Sequence, residues 1–239
     1  MKTAASGKRI FAGLVFVSLA MGLGAEHSLP AQDANARVIQ GIDASVQARE
    51  KNLLGYMVTE HYVVFRNHDE QHPAAEMVVK TSFNKDVGKN FSVQSLTGSL
   101  VMRKILEAVL DTEKRMTQPA NRSTAVITSA NYEMSVKGAE MVDGRACLAV
   151  AIKPRRVSPY LFSGTIWVDA GNEAIVQLDG VTSKSPSIMT GPSQVFRRYT
   201  TLDGLSMATH AQALSSSSLL GQTVIKIDYT GYQIQSEPK

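Results

Sequence analysis

Between Ala36 and Asn52 the apolar residues Val38, Ile39, Ile42 and Val46 recur at steps of three and four, which makes one stripe of an amphipathic helix. Asp33 or Asn35 is placed to cap it. The period then falls to two. Leu54 to Arg66 is rich in Tyr, Val, Thr and Phe and reads as a long strand, followed by the polar turn Asn67 to Pro73. In Ala75 to Phe83, Met77, Val79 and Phe83 alternate with Glu76, Lys80 and Asn84, so one face is apolar and the other wet. Asn90 to Ser95 is a third strand, reached through Lys85, Asp86 and Gly88.

From Ser99 to Met116 the helical period returns: Val101, Ile105 and Val109 line up beside Met102, Leu106 and Leu110, with Arg103, Lys104, Glu107, Asp111 and Lys114 on the other side. Pro119, Ala120 and Asn121 end this second helix. Seven more strands follow: Thr124 to Val136, Arg145 to Lys153, Tyr160 to Asp169, Ala174 to Asp179, Gln194 to Thr200, Leu205 to Ala213 and Thr223 to Ile234. Asp143-Gly144, Ala170-Gly171-Asn172 and Asp203-Gly204 are hairpin turns between them. About ten strands joined by short turns make an antiparallel meander rather than a βαβ fold.

Such a sheet, buried on one face, must close, split or curl, because long flat sheets with open edges are prone to aggregate. Two amphipathic helices laid into its concave side satisfy both periodicities. The methionines Met77, Met102, Met134 and Met207 fall on that side, where flexible thioethers suit an adaptable surface as well as an ordinary core. At 239 residues and 44% hydrophobic, the chain holds one sizeable core, and with Cys147 as its single cysteine it is no disulfide scaffold.

Charge is placed unevenly. Residues Met1 to Arg9 carry Lys2, Lys8 and Arg9 and no acid, and Ile10 to Ala25 run apolar and small, the pattern of a secretory signal peptide. The expected organisation is therefore a leader over 1–31, cleaved after Ala25 or Ala31, and a single domain over 32–239. Without residues 1–25 the excess of +4 falls to 22 basic against 21 acidic residues. That leaves no basic stripe for nucleic acid. Export with one cysteine points to a periplasm.

Catalytic patterns are missing. His68 and His72 stand four apart, but Pro73 follows and strands flank them, so a solvated turn is expected rather than a metal site. No G-x-S-x-G elbow, phosphate loop or dinucleotide fingerprint occurs. Ser215 to Ser218 reads as a hairpin tip, and Cys147 as a small buried residue in a strand. Asp169 and Asp228 lack the spacing of a paired acid and base. The expectation is a non-enzyme without cofactor or metal. Lys153, Arg155 and Arg156 form the one basic cluster outside the leader, either a solvated loop or a docking patch for anionic headgroups or an acidic partner. Trp167 has the opposite parity to Ile166 and Val168 and belongs on the outer face.

The segment Gly144 to Val150, then Lys153-Pro154, then Tyr160-Leu161-Phe162-Ser163-Gly164-Thr165-Ile166-Trp167-Val168-Asp169, resembles the outer-membrane lipoprotein-sorting and carrier family (LolA/LolB-like). Gly221-Gln222-Thr223 through Tyr229-Thr230-Gly231-Tyr232 resembles its closing strand. The resemblance covers residues 36–235. It implies a mostly β (α+β) fold, an unclosed antiparallel β-barrel of about ten strands with two helices as a lid on its concave face. It also implies a periplasmic carrier that binds the acyl chains of a lipid or lipoprotein, with transfer partners at the inner and outer membranes. An alternative on the same fold is an envelope protein that senses lipid or docks a partner without moving cargo. Since each methylene moved out of water is worth roughly 0.8 kcal/mol, a 16-carbon chain left exposed costs on the order of 10 kcal/mol. The candidate cavity residues are Met77, Val79, Phe83, Phe91, Ile105, Val109, Tyr132, Met134, Phe162, Ile166, Met207, Ile225 and Tyr229.

Overall fold

In the computed structural model, which describes residues 31–184, 192–217 and 221–237, the first element is helix α1, Ala31–Asn52. It begins earlier than the apolar stripe alone indicates, so Asp33 and Asn35 lie inside it instead of capping it. Apart from Ala31, the expected leader lies outside the described residues.

Ten strands follow: β1 (Leu53–Arg66), β2 (Ala75–Asn84), β3 (Gly88–Leu96), β4 (Tyr132–Val142), β5 (Arg145–Pro154), β6 (Phe162–Asp169), β7 (Ile175–Thr182), β8 (Gln194–Leu202), β9 (Leu205–Ser217) and β10 (Gly221–Ser236). They form one antiparallel sheet in the order β3-β2-β1-β10-β9-β8-β7-β6-β5-β4. It is not closed, since β3 and β4 are both edges. The chain enters at the third strand from one edge, meanders to that edge, crosses to the other, and meanders back until β10 pairs with β1. That crossing is made by helices α2 (Leu100–Thr117) and α3 (Pro119–Arg122). The mostly β architecture is the one expected.

Local chemistry accounts for the joints. Asp143-Gly144 and Asp203-Gly204 take positive φ at both positions, 49° and 78° in the first and 52° and 81° in the second, as a tight hairpin with the twist of its strands requires. The Ser99 hydroxyl caps α2 by accepting from the Met102 N–H at 3.4 Å. Pro119, expected only to end α2, also opens α3 at a position where its missing N–H costs nothing.

One expected strand is shorter at its start. Residues 124–131 are turn and loop, and β4 begins only at Tyr132. Side-chain bonds hold that loop. Asn131 donates to the carbonyls of Ser123 and Val126 at 3.0 and 2.8 Å, and the Asp43 carboxylate of α1 accepts from the Ser129 N–H at 2.8 Å.

Each helix covers its own half of the sheet. Met102, Leu106 and Leu110 of α2 pack with Val58, Tyr62, Val64, Met77 and Val79 of β1 and β2 and with Ile225, Ile227 and Tyr229 of β10. Ile42 of α1, flanked by Val38 and Val46, packs with Tyr132, Val150, Ile152, Ile166, Val168 and Leu178 of β4 to β7. The concave face thus carries two cores with a seam between them, and the seam is where the molecule is hollow.

Candidate functional site

Two cavities open along the seam. The first, about 460 Å³, lies among the end of α1, the start of β1, α3 and the β8–β9 hairpin. The second, about 490 Å³, lies between α2 and strands β8, β9 and β10. Both are of the size of small-molecule sites in proteins. They share Glu113, Met116, Tyr160, Phe162 and Arg197, so they meet at one point.

Their walls differ. The second cavity is lined by Val101, Ile105 and Val109 from α2 and by Val195, Ala211, Ile225 and Ile227 from the sheet, with Ser193, Ser215, Ser217 and Thr223 towards one end. Helical spacing aims the α2 residues towards the sheet and strand alternation aims the sheet residues towards the helix. The first cavity is aromatic and charged. Tyr56 stacks on Phe83 at 5.2 Å and meets Tyr232 edge-on at 5.6 Å, and Arg49, Glu50, Lys89 and Arg122 stand around them.

At the meeting point lies a buried charge cluster. The Lys89 ammonium of β3 donates to Glu113 of α2 at 2.5 Å and to Glu60 of β1 at 3.2 Å. Tyr62 donates its hydroxyl to Glu60. Arg197 of β8 approaches Glu113 at 4.0 Å. Glu60 is fully buried and Lys89 and Glu113 almost so, which makes this the least hydrated group of charges among the described residues. Burial pushes the Glu113 carboxyl up, but Lys89 and Arg197 beside it outweigh that and hold it below its usual value. Burial likewise pushes Lys89 down, and the facing Glu113, Tyr56 and Glu60 outweigh it and hold the ammonium well above its usual value. Tyr62 and Tyr229 are raised, chiefly by burial, and stay neutral donors.

The expected cavity residues divide into two groups. Phe83, Met207 and Tyr229 line the first cavity, Ile105, Val109 and Ile225 the second, and Phe162 both. Met77, Val79, Tyr132 and Ile166 are fully buried in the two cores and touch neither hollow. Phe91 and Met134 are half-buried beside those cores, Phe91 with the Lys89 ammonium 5.7 Å from its ring centre. The Tyr132 hydroxyl accepts from the Phe162 N–H at 3.3 Å, and burial pushes its phenol up to about 12.

In the basic cluster, Arg155 donates to the Ser129 carbonyl at 2.9 Å and Arg156 to the Asn131 side chain at 2.9 Å, both pinning the 123–131 loop. Lys153 is exposed. Trp167 lies on the outer face, its indole N–H donating to Glu140 of β4 at 2.7 Å. Asp69 organises the His68–His72 turn by accepting from the Gln71 and His72 N–H groups at 3.0 and 3.1 Å. Ser215 and Ser217 belong to the end of β9, and Ser218 lies outside the described residues.

Sequence reasoning missed the charge cluster, Met116 and Tyr160. Parity held the signal for the cluster. Glu60 alternates in phase with Val58, Tyr62 and Val64, Lys89 with Phe91, and Arg197 with Val195, while Glu113 continues the Met102, Leu106, Leu110 stripe. Four charged residues on four apolar faces mark a site.

Fold and site together define an open antiparallel sheet whose helices cover an apolar hollow with a charged waist. No family model and no curated protein sequence matches the chain. Among solved structures it is similar to an outer-membrane lipoprotein-sorting protein domain from Vibrio parahaemolyticus, at 10% identity and TM-score 0.48 over 87% of this chain and 94% of that one. It is also similar to a LolA superfamily protein from Nitrosomonas europaea (10% identity, TM-score 0.44, 85% and 94%) and a DUF1329 family protein from Desulfovibrio piger (13%, 0.42, 84% and 95%).

Proposed function

We propose that this protein is a non-enzymatic periplasmic carrier that hides the acyl chains of a lipid or lipoprotein between its sheet and its helices, in the service of outer-membrane lipoprotein sorting. The observation that carries the reading is the second cavity. If a methylene takes about the volume of a water molecule, roughly 30 Å³, then 490 Å³ accommodates a chain on the order of sixteen carbons. Hydrophobic burial supplies affinity there without directional bonds, as a cargo that must be both held and released requires. Partners at the inner and outer membranes would load and unload it.

Gentle purification of the mature protein, organic extraction and mass spectrometry test this: acylated molecules are expected in stoichiometric amount, and their repeated absence counts against a carrier. Phe162 stands where the two cavities meet. Phe162→Asp places an unpaired charge in that wall and is expected to weaken uptake of a 16-carbon chain at least about tenfold with the circular dichroism unchanged. Unchanged uptake would remove Phe162 from the wall. A sensing or docking role is the second reading, favoured by Leu100 and Val101, which stand 76% and 50% exposed at the start of α2 beside the cavity. Movement of labelled lipid between donor and acceptor vesicles separates the two, since a sensor binds without accelerating it.

A further inference from the structure

Of the two cations in the charge cluster, Arg197 has the more donors to spare. Lys89 spends two of its three N–H donors on Glu60 and Glu113. The Arg197 guanidinium has five N–H donors. Its hydroxyl partner is Tyr199, and Glu113 at 4.0 Å is beyond hydrogen-bond range. Its Nε is buried without a partner. The side chain as a whole is 26% exposed, so its remaining donors face the cavity, where a ligand that enters can meet them.

Charge around the first cavity agrees. Arg49, Lys89, Arg122 and Arg197 face two carboxylates, Glu50 and Glu113; Glu60, the further carboxylate on Lys89, leaves an excess of one positive charge. The second cavity, beyond Arg197, is walled mostly by aliphatic side chains, with hydroxyls towards one end and the exposed Lys104 in its lining. A cationic fork with free donors thus stands where an apolar compartment ends and a polar one begins.

We infer that the cavity pair takes an amphiphile ending in an anionic group, a carboxylate or a phosphate monoester, with its tail in the second cavity and its charge on Arg197. The inference rests on the acyl-carrier reading and identifies the other end of the ligand. Guanidinium is the side chain best matched to both anions, through paired N–H donors, and in a site shielded from water such bonds are stronger than in solvent. Arg197 also sets the orientation: it stands at the junction with Arg49, Lys89 and Arg122 of the first cavity on one side, whereas the second cavity adds only the exposed Lys104, so the ligand lies head towards α1 and tail beneath α2.

Titration calorimetry with hexadecanoate, hexadecyl phosphate, hexadecanol and inorganic phosphate below micellar concentration tests it. The wild-type protein is expected to bind both anionic amphiphiles at least about tenfold more tightly than the alcohol. Arg197→Gln is expected to bring the acid-to-alcohol ratio to about one. Glu113→Gln removes the carboxylate that competes for Arg197 and is expected to raise the ratio. Equal affinities in the wild type would overturn the inference, as would a ratio that survives in folded Arg197→Gln or falls in Glu113→Gln. Inorganic phosphate that displaces hexadecyl phosphate as well as hexadecanoate does would show a free-anion site and overturn it too. If none of the amphiphiles binds, the carrier reading itself fails, an outcome distinct from binding without discrimination.

Discussion

At Lys89 one ammonium separates two carboxylates that reach it from different elements, Glu60 on β1 and Glu113 on α2. Removing one partner of a buried ion group costs more than the group contributes, because the charges left behind have neither water nor a counter-ion. Lys89→Met is therefore expected to destabilise the fold by about 3 kcal/mol, read as a lower urea midpoint at unchanged slope. Adding Glu60→Gln and Glu113→Gln in the same chain is expected to restore much of it, since the repulsion goes with the carboxylates. The pH dependence follows from the same geometry. Glu113 is held below its usual 4.5 when folded, so its contribution is complete above 4.5 and is lost as pH falls through that value towards the folded one. Lys89 is held above its usual 10.5, so its contribution is complete below 10.5 and lost only as pH climbs past it. The stability gap between wild type and Glu113→Gln is thus expected to be constant near neutrality and to shrink in urea titrations below 4.5; a gap independent of acid would dissociate Glu113 from Lys89. The inward parity of Glu60, Lys89 and Arg197 was legible from alternation alone. Their meeting was not, because it depends on β1, β3 and β8 being brought under one helix.

Among the elements, the hairpin β6–β7 shows what a motif can mean physically. Gly164, the glycine of Ser163-Gly164-Thr165-Ile166-Trp167, pairs with Gly180 across the sheet. A Cβ on Gly164 would come within 2.1 Å of the Asp179 carbonyl oxygen and 2.4 Å of the Gly180 Cα, both backbone atoms that cannot turn aside. Two strands approach there more closely than any side chain allows. Gly164→Ala is expected to cost about 1–3 kcal/mol or more and to lower the thermal midpoint accordingly, whereas an alanine accepted without loss would mean the strands are free to part. All ten strands were legible from period and turn chemistry, down to the Asp-Gly hairpins. The segment before Tyr132 was not. Its apolar residues alternate like a strand, but Asn131, Ser129 and the two arginines of the 155–156 pair tie it into a loop through bonds that no alternation reveals. For the cavity, alternation identified inward-facing positions such as Met77 and Ile225 alike. Where α2 lies decides which of them also borders a hollow: Met77 is fully buried in the core, while Ile225 of the same core also borders the second cavity.

For the molecule as a whole, an interior pair of the sheet joins its first strand to its last: β1 is bonded on one side to β10 and on the other to β2, while β3 and β4 each have an open edge. The helices rest on the concave face chiefly through side chains, and α2 spans a hollow over part of its length. Local stability must then be graded, highest where backbone bonds are doubled and covered and lowest where a helix bridges a void. Hydrogen exchange is expected to be slowest in β1 and β10 and markedly faster in α2. An acyl ligand fills the void and binds only the folded state, so at a hundredfold excess over its Kd it adds about 2.7 kcal/mol and raises Tm by roughly 5–10 °C. The added protection must fall on α2 and on the facing amides of β8 to β10, because those are the surfaces the ligand joins. Ligand-induced protection spread evenly over the sheet, or confined to the outer face, would mean that the chain binds elsewhere and that the seam between the two cores is only a packing defect.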